Sequence, residues 1–198
     1  LTNLAACPDP AQPWDQQHRD LLTDLLAADR GLATVWEGLD QVGVIERWLP
    51  EWTGVRGRPQ HHPVHRHTVE RHLLETVSQA TAVGRDVARP DLLLLAALLH
   101  DIGKIAGARD HSLTGADLAD RVLRRWGLPE DERATVVLLV REHLTLIETA
   151  TRRDLADPAT VDSVCRLVGD DPQTFELLRA LTIADARAEK LTGRHVGV

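Results

Sequence analysis

Residues 92–104 read LLLLAALLHDIGK. The run from Leu92 to Leu99 is apolar at every position, so it predicts two turns of helix buried on all sides rather than an amphipathic surface helix. It delivers His100 and Asp101 side by side and then breaks at Gly103. Burying an imidazole beside a carboxylate is costly unless something pairs with both, and a metal ion satisfies the two at once. A plainer alternative is a helix C-terminus at which His100 caps carbonyls and Asp101 starts a turn. The dipeptide alone does not separate these readings in a chain with 10 His.

The composition narrows the classes. A chain of 198 residues, 43% hydrophobic and 27% charged, fits one globular domain with a helical extension. A net charge of -7 disfavours nucleic acid as the main partner, because phosphate binding needs a concentrated basic surface. Bound divalent cations would offset part of that charge. No apolar run reaches the length of a membrane span and no signal segment opens the chain, so no membrane is expected and the cytoplasm is the default location. Cys7 and Cys165 share no CxxC spacing and read as reduced, non-catalytic thiols rather than zinc ligands. The complete lack of Met predicts a segment of a longer polypeptide.

Outward from residues 92–104, helical periodicity dominates and strand alternation is nearly absent. Residues 1–13 read as a flexible N-terminal segment and 14–62 as a helical lead-in. The lead-in has one helix carrying Leu21, Leu22, Leu25 and Leu26, and another carrying Val35, Trp36, Leu39 and Val42. An ordered Trp- and Pro-rich connection, VIERWLPEWTGVRGRPQHHPVH at 44–65, follows. Thr68 is a candidate N-cap for a helix with Val69, Leu73, Val77 and Ala80 on its apolar face, beside which sits His72. Further helices are expected from about Ser112 to Trp126, from Pro129 through Leu144, from Asp157-Pro158 to about Val168, and from about Pro172 to Lys190. The fold class is an all-α bundle, with the main domain at 63–190 and a tail at 191–198.

Catalytic metal sites in helical bundles draw His and carboxylates from several helices, all pointing inward. The candidates are His72, His100, Asp101, His111, His143 and Asp185, each on or beside an apolar stripe. Gly115, one turn beyond His111, would let another helix or a substrate approach closely. Nitrogen and oxygen ligands without thiolates suit Mn, Fe, Mg or Zn, and six ligands suit two adjacent ions better than one tetrahedral ion.

This set, in the order His, His-Asp, His, His, Asp, resembles the HD superfamily of metal-dependent phosphohydrolases. More closely, the chain resembles the uridylyl-removing HD domain of the family of bifunctional uridylyltransferase/uridylyl-removing enzymes that act on the nitrogen-regulatory PII protein, in its actinobacterial form. The residues that carry the likeness are HTVERHLLETV at 67–77, RPDLLLLAALLHDIGK at 89–104, DHSLTGA at 110–116, LVREHL at 139–144, TATRRDLADPATV at 149–161 and LLRALTIADARA at 177–188. WLPEWTGVRGRPQ at 48–60 adds a similar lead-in. The HDIGK element belongs to the whole superfamily, whereas TATRRDLADP with the lead-in points to this family. The chain departs from it at His67, where the family usually has Tyr, and at Glu142, where it usually has a second His beside His143.

The resemblance implies that His72, His100, Asp101 and Asp185 are the core metal ligands, that Asp101 bridges two ions, and that His111 and His143 complete a two-metal site. It implies hydrolysis of a phosphodiester: hydroxide attacks the phosphorus of a uridylylated tyrosine on PII and the phenolate leaves, releasing UMP. PII is then the substrate partner, with UMP or glutamine as small-molecule partners. Asp101 and Lys104 are the catalytic candidates, Lys104 as a point charge on a phosphate oxygen or else a solvated lysine at a helix end. Arg152 and Arg153 are substrate-binding candidates through bidentate contacts, or else exposed arginines paired with Asp154 and Asp157. His67 lies near enough to His72 to line the site mouth. Two other readings stay open: an HD-type nucleotidase or cyclic-nucleotide phosphodiesterase, and a non-catalytic regulatory or PII-docking module.

Overall fold

A computed structural model describes residues 6–59 and 68–193, except the side chains of 30 and 191–193. The described residues form an all-α bundle with no strand, and the only pairing of that kind is an isolated bridge between Pro59 and Thr68. The lead-in comprises α1 (Gln16–Leu26), α2 (Leu32–Gln41) and α3 (Val44–Trp48), followed by a 3-10 turn at Pro50–Gly54. The bundle proper is built from α4 (Val69–Val83), α5 (Pro90–Leu99), α6 (His111–Arg125), α7 (Glu130–Glu142), α8 (Thr145–Arg152), α9 (Pro158–Leu167) and α10 (Pro172–Gly193).

Helix α5 is the axis. Every residue from Leu92 to Leu99 is buried, and the helix packs on α4, α7 and α10, with α1 covering part of it. With apolar residues on all faces it has no solvent side to prefer, so it can be surrounded. The longest-running contacts beside it are α4 against α10 and α6 against α7. These two pairs bring the ends of several helices to the end of α5, where the polar residues begin.

The tryptophans tie the lead-in to this bundle. Trp14 stacks on Trp126 at 5.3 Å between ring centroids, Trp36 meets Trp52 at 5.2 Å, and the Trp126 indole donates to the Trp48 carbonyl at 3.1 Å. Gly127, with φ +68, ends α6 in the left-handed region, and a Cβ there would lie 2.4 Å from the Trp14 carbonyl oxygen. Arg19 closes the junction by donating to the carbonyls of Trp14 and Gly127.

Some local expectations need correction. Leu21 and Val35 face solvent, because α1 and α2 each bury a narrower stripe than periodicity alone suggests. Thr68 holds the N-cap position of α4 through its backbone, without a side-chain hydrogen bond. The helix expected to run through Leu144 stops at Glu142, and a separate short helix, α8, begins at Thr145. Thr145 Oγ donates to the Glu142 carboxylate at 2.7 Å, so the break is held by a side-chain bond that no periodicity signals. Asp157 does cap α9, accepting from the Ala159 N–H at 2.9 Å with Pro158 at the first helical position. No helix among the described residues is long and apolar enough to cross a membrane.

Candidate metal centre

Two helices end in the same device. Helix α5 leaves its last carbonyls without intrahelical donors, and His100 Nδ1 lies 2.9 Å from the Ala97 carbonyl oxygen. Helix α7 ends likewise, with His143 Nδ1 2.7 Å from the Val140 carbonyl oxygen. A carbonyl only accepts, so each Nδ1 carries the proton, and in the neutral ring Nε2 keeps its lone pair for the site. Capping and ligation are therefore not competing readings of His100, since one ring nitrogen serves each.

The Nε2 atoms converge with the carboxylates. His72 Nε2, from α4, lies 3.2 Å from His100 Nε2 and 2.9 Å from Asp185 Oδ1, from α10. His100 Nε2 is 3.6 Å from that same oxygen. These three residues form one group whose ligand atoms all lie within 4.8 Å, the spacing of groups that could hold a metal ion. Asp101, His111 and His143 form a second such group. Nε2 of both His111 and His143 stands 3.6 Å from Asp101 Oδ1. The other oxygen, Asp101 Oδ2, faces the first group, 3.5 Å from His100 Nε2 and 3.7 Å from His72 Nε2. One carboxylate thus looks into both groups.

The donor set fits a divalent cation. His72, His100, Asp101 and His143 are each at most 2% exposed, yet Asp101 Oδ1 and Asp185 Oδ1 have no hydrogen-bond partner. The approach of His72 to Asp185 is close but not aligned as a hydrogen bond. Two buried carboxylates facing ring nitrogens at this range are costly unless a proton or cation lies among them. Burial favours the acid form of Asp101, but the charges of His100, Lys104, His143 and His72 outweigh it and hold its pKa at about 2. Burial opposes ionisation of Asp185 too, but the close approach of His100 and His72 holds it well below the usual carboxylate range. Both carboxyls are therefore ionised. For His143, burial and then the neighbouring His100 push the pKa down to about 4, so the ring is neutral near pH 7. At His100 burial works against the proton, but Asp101 and Asp185 prevail and raise the pKa.

The remaining candidates divide. Lys104 Nζ pairs with Asp101 Oδ2 at 2.5 Å, and its side chain is 30% exposed. His111 is 31% exposed and Asp185 17% exposed, so these two of the six converging side chains also reach solvent. Arg152 and Arg153 are exposed at the end of α8, and the ion pair that forms is between Arg152 and Glu148 at 3.9 Å, not with Asp154 or Asp157. Among the described residues no ion pair or hydrogen bond joins either arginine to the six converging side chains. Glu142 is held by Thr145 and Arg141 and belongs to neither ligand group. His67 lies outside the described residues.

Sequence reasoning missed why Gly103 is glycine. It reads as a helix break, but a Cβ there would fall 2.0 Å from the His111 carbonyl oxygen and 2.4 Å from the Gly115 N. The start of α6 lies directly on the turn after Asp101, which brings His111 to the site. The signal was half visible in Gly115, whose own Cβ would meet the Gly103 N at 3.4 Å.

Comparison with known proteins agrees with this picture. A family model described as HD domain matches residues 69–189, which includes all six converging residues. The bifunctional uridylyltransferase/uridylyl-removing enzyme of Streptomyces coelicolor is 50% identical over 189 residues, covering 95% of this chain and 22% of that protein. The enzyme of the same name from Mycobacterium tuberculosis is 47% identical, with 95% and 23% covered. That from Corynebacterium glutamicum is 36% identical over 185 residues, with 93% and 27% covered. The chain thus spans about a quarter of the length of the curated relatives it matches.

Proposed function

Because the chain belongs to the HD-domain family, we propose that it is a metal-dependent phosphodiesterase that removes UMP from uridylylated PII protein. The observation that carries this reading is Asp101, a buried carboxylate with one oxygen toward His72 and His100 and the other toward His111 and His143. His72, His100, Asp101 and Asp185 would hold one divalent ion, and Asp101, His111 and His143 a second. When bound, such ions lower the pKa of water toward neutrality and neutralise charge on phosphoryl oxygens.

The chain's own residues define the rest. Asp101 and Asp185 are ionised, so neither can protonate a leaving group. A phenol, with a pKa of about 10, leaves without strong acid help, whereas an alkyl alkoxide is far more basic. That supports a tyrosyl ester over an alkyl one. Lys104, partly exposed and paired with Asp101, would bring its ammonium to a non-bridging phosphate oxygen. Arg152 and Arg153 would engage the protein carrying the ester rather than the reacting phosphate, since both stand exposed on α8. In the balanced reaction water adds across the phosphorus–oxygen bond, giving UMP and the unmodified tyrosine side chain of PII.

UMP release from uridylylated PII, measured beside a panel of free nucleotides and cyclic nucleotides with added manganese, tests the reading. Release from the protein ester in preference to the panel is the expected result. Turnover of nucleotides alone would replace it with a nucleotidase or cyclic-nucleotide phosphodiesterase. Absence of both bound metal and hydrolysis would leave a regulatory or docking module.

A further inference from the structure

Resting on the two-ion reading above, we propose that Gly103 and Asp110 are positioning residues that act through His111 and decide whether the second ion is held. The two ligand groups are mounted differently. His72, His100 and Asp185 project from α4, the end of α5 and α10, and both His72 and His100 are buried. His111 is the first residue of α6, after the loop that follows Asp101, and its side chain is 31% exposed. His100 and His143 are fixed by Nδ1 bonds to carbonyls, but among the described residues His111 has no such bond. Its placement therefore depends on where the backbone of α6 begins.

Two features set that beginning. The backbones of Gly103 and of His111 to Gly115 lie so close that a Cβ on Gly103 would meet the His111 oxygen at 2.0 Å, the Gly115 N at 2.4 Å and the Gly115 Cα at 2.8 Å. All three are backbone atoms, so no side-chain rotation relieves the overlap, and α6 and the turn carrying Gly103 must move apart. Asp110 then starts the helix, its carboxylate accepting from the N–H groups of Ser112 at 2.9 Å and Leu113 at 3.1 Å. Either change moves His111 relative to Asp101 Oδ1 while the groups on α4, α5 and α10 stay in place.

The test is manganese binding to the full chain, read as ions per chain by elemental analysis and as the spin-coupled signal of a metal pair. Wild type should hold two ions. Gly103→Ala should hold one, with the coupled signal gone and helicity retained. Asp110→Ala, an exposed change that leaves the core intact, should weaken the looser ion by about threefold to fivefold and leave the tighter one unchanged. It decides the matter if Gly103→Ala does not fold. A folded Gly103→Ala with two ions, or an Asp110→Ala that weakens both ions equally or neither, would overturn the proposal. So would a wild type that binds a single ion. Two bound ions without UMP release would instead remove the substrate reading and leave this inference standing.

Discussion

The His72, His100, Asp185 group and the Asp101, His111, His143 group sit a few ångströms apart, yet they are made in different ways. The first is assembled by α4 packing on α10 and α5, the most extensively packed helices of the bundle. Its geometry follows from the core. The second has a helix-end histidine as the first does, but it also depends on a turn and a helix start, and it includes the most exposed of the six side chains. Core packing fixes positions to within fractions of an ångström because interiors are close-packed, whereas a helix terminus is held by a few hydrogen bonds and frays more easily. The same bundle can therefore present one rigid ligand set and one adjustable set, joined through Asp101.

The comparison can be broken most completely at the shared residue. Asp101→Ala should abolish binding at both groups and bring UMP release below detection while the circular dichroism of the helices persists; His100→Ala should do nearly the same. Full activity in both variants would mean the site is elsewhere. His111→Ala should split the groups: one ion lost, one kept, and hydrolysis reduced by at least about 100-fold. Metal counting and single-turnover rates on the same preparation check this. Lys104→Ala touches neither group's ring nitrogens. It should lower kcat by about 10-fold to 100-fold with metal content unchanged, and equal loss of metal would make the lysine structural.

A separate effect is on pH dependence in the metal-free protein, where the two groups pull in opposite directions. His143 has a folded pKa of about 4, below its unfolded value of 6.5, so its contribution is complete above pH 6.5 and is lost as pH falls toward 4. The full span corresponds to about 3 kcal/mol. His100 has a raised pKa, so its contribution is present below pH 6.5 and is lost as pH rises through the folded value. Urea unfolding of wild type against His143→Gln and His100→Gln, at steps from pH 4 to 8, should give differences that move in opposite directions. Parallel curves would contradict the assigned environments.

Much of this was legible before any coordinates. The unbroken apolar run from Leu92 to Leu99 predicts a surrounded helix, and α5 is one. The six metal candidates were named from residue type, apolar context and a family resemblance, and the fold brings all six together. Other features were not legible because they depend on backbone contacts between distant segments. Gly103 reads as a breaker until the start of α6 is seen lying against it. The Nδ1 bonds of His100 and His143 need a helix end at a stated residue, and periodicity carries α7 through Leu144 whereas it ends at Glu142. For Lys104 the sequence offers phosphate or solvent as partner, whereas the structure pairs it with the Asp101 carboxylate.

The most direct test of a shared carboxylate is anomalous diffraction from crystals of the full chain grown with manganese. Two peaks are expected, one within bonding distance of His72, His100 and Asp185 and one within bonding distance of His111 and His143, with Asp101 contributing an oxygen to each. A single peak that leaves His111 and His143 unbound, or peaks away from Asp101, would contradict the two-ion centre.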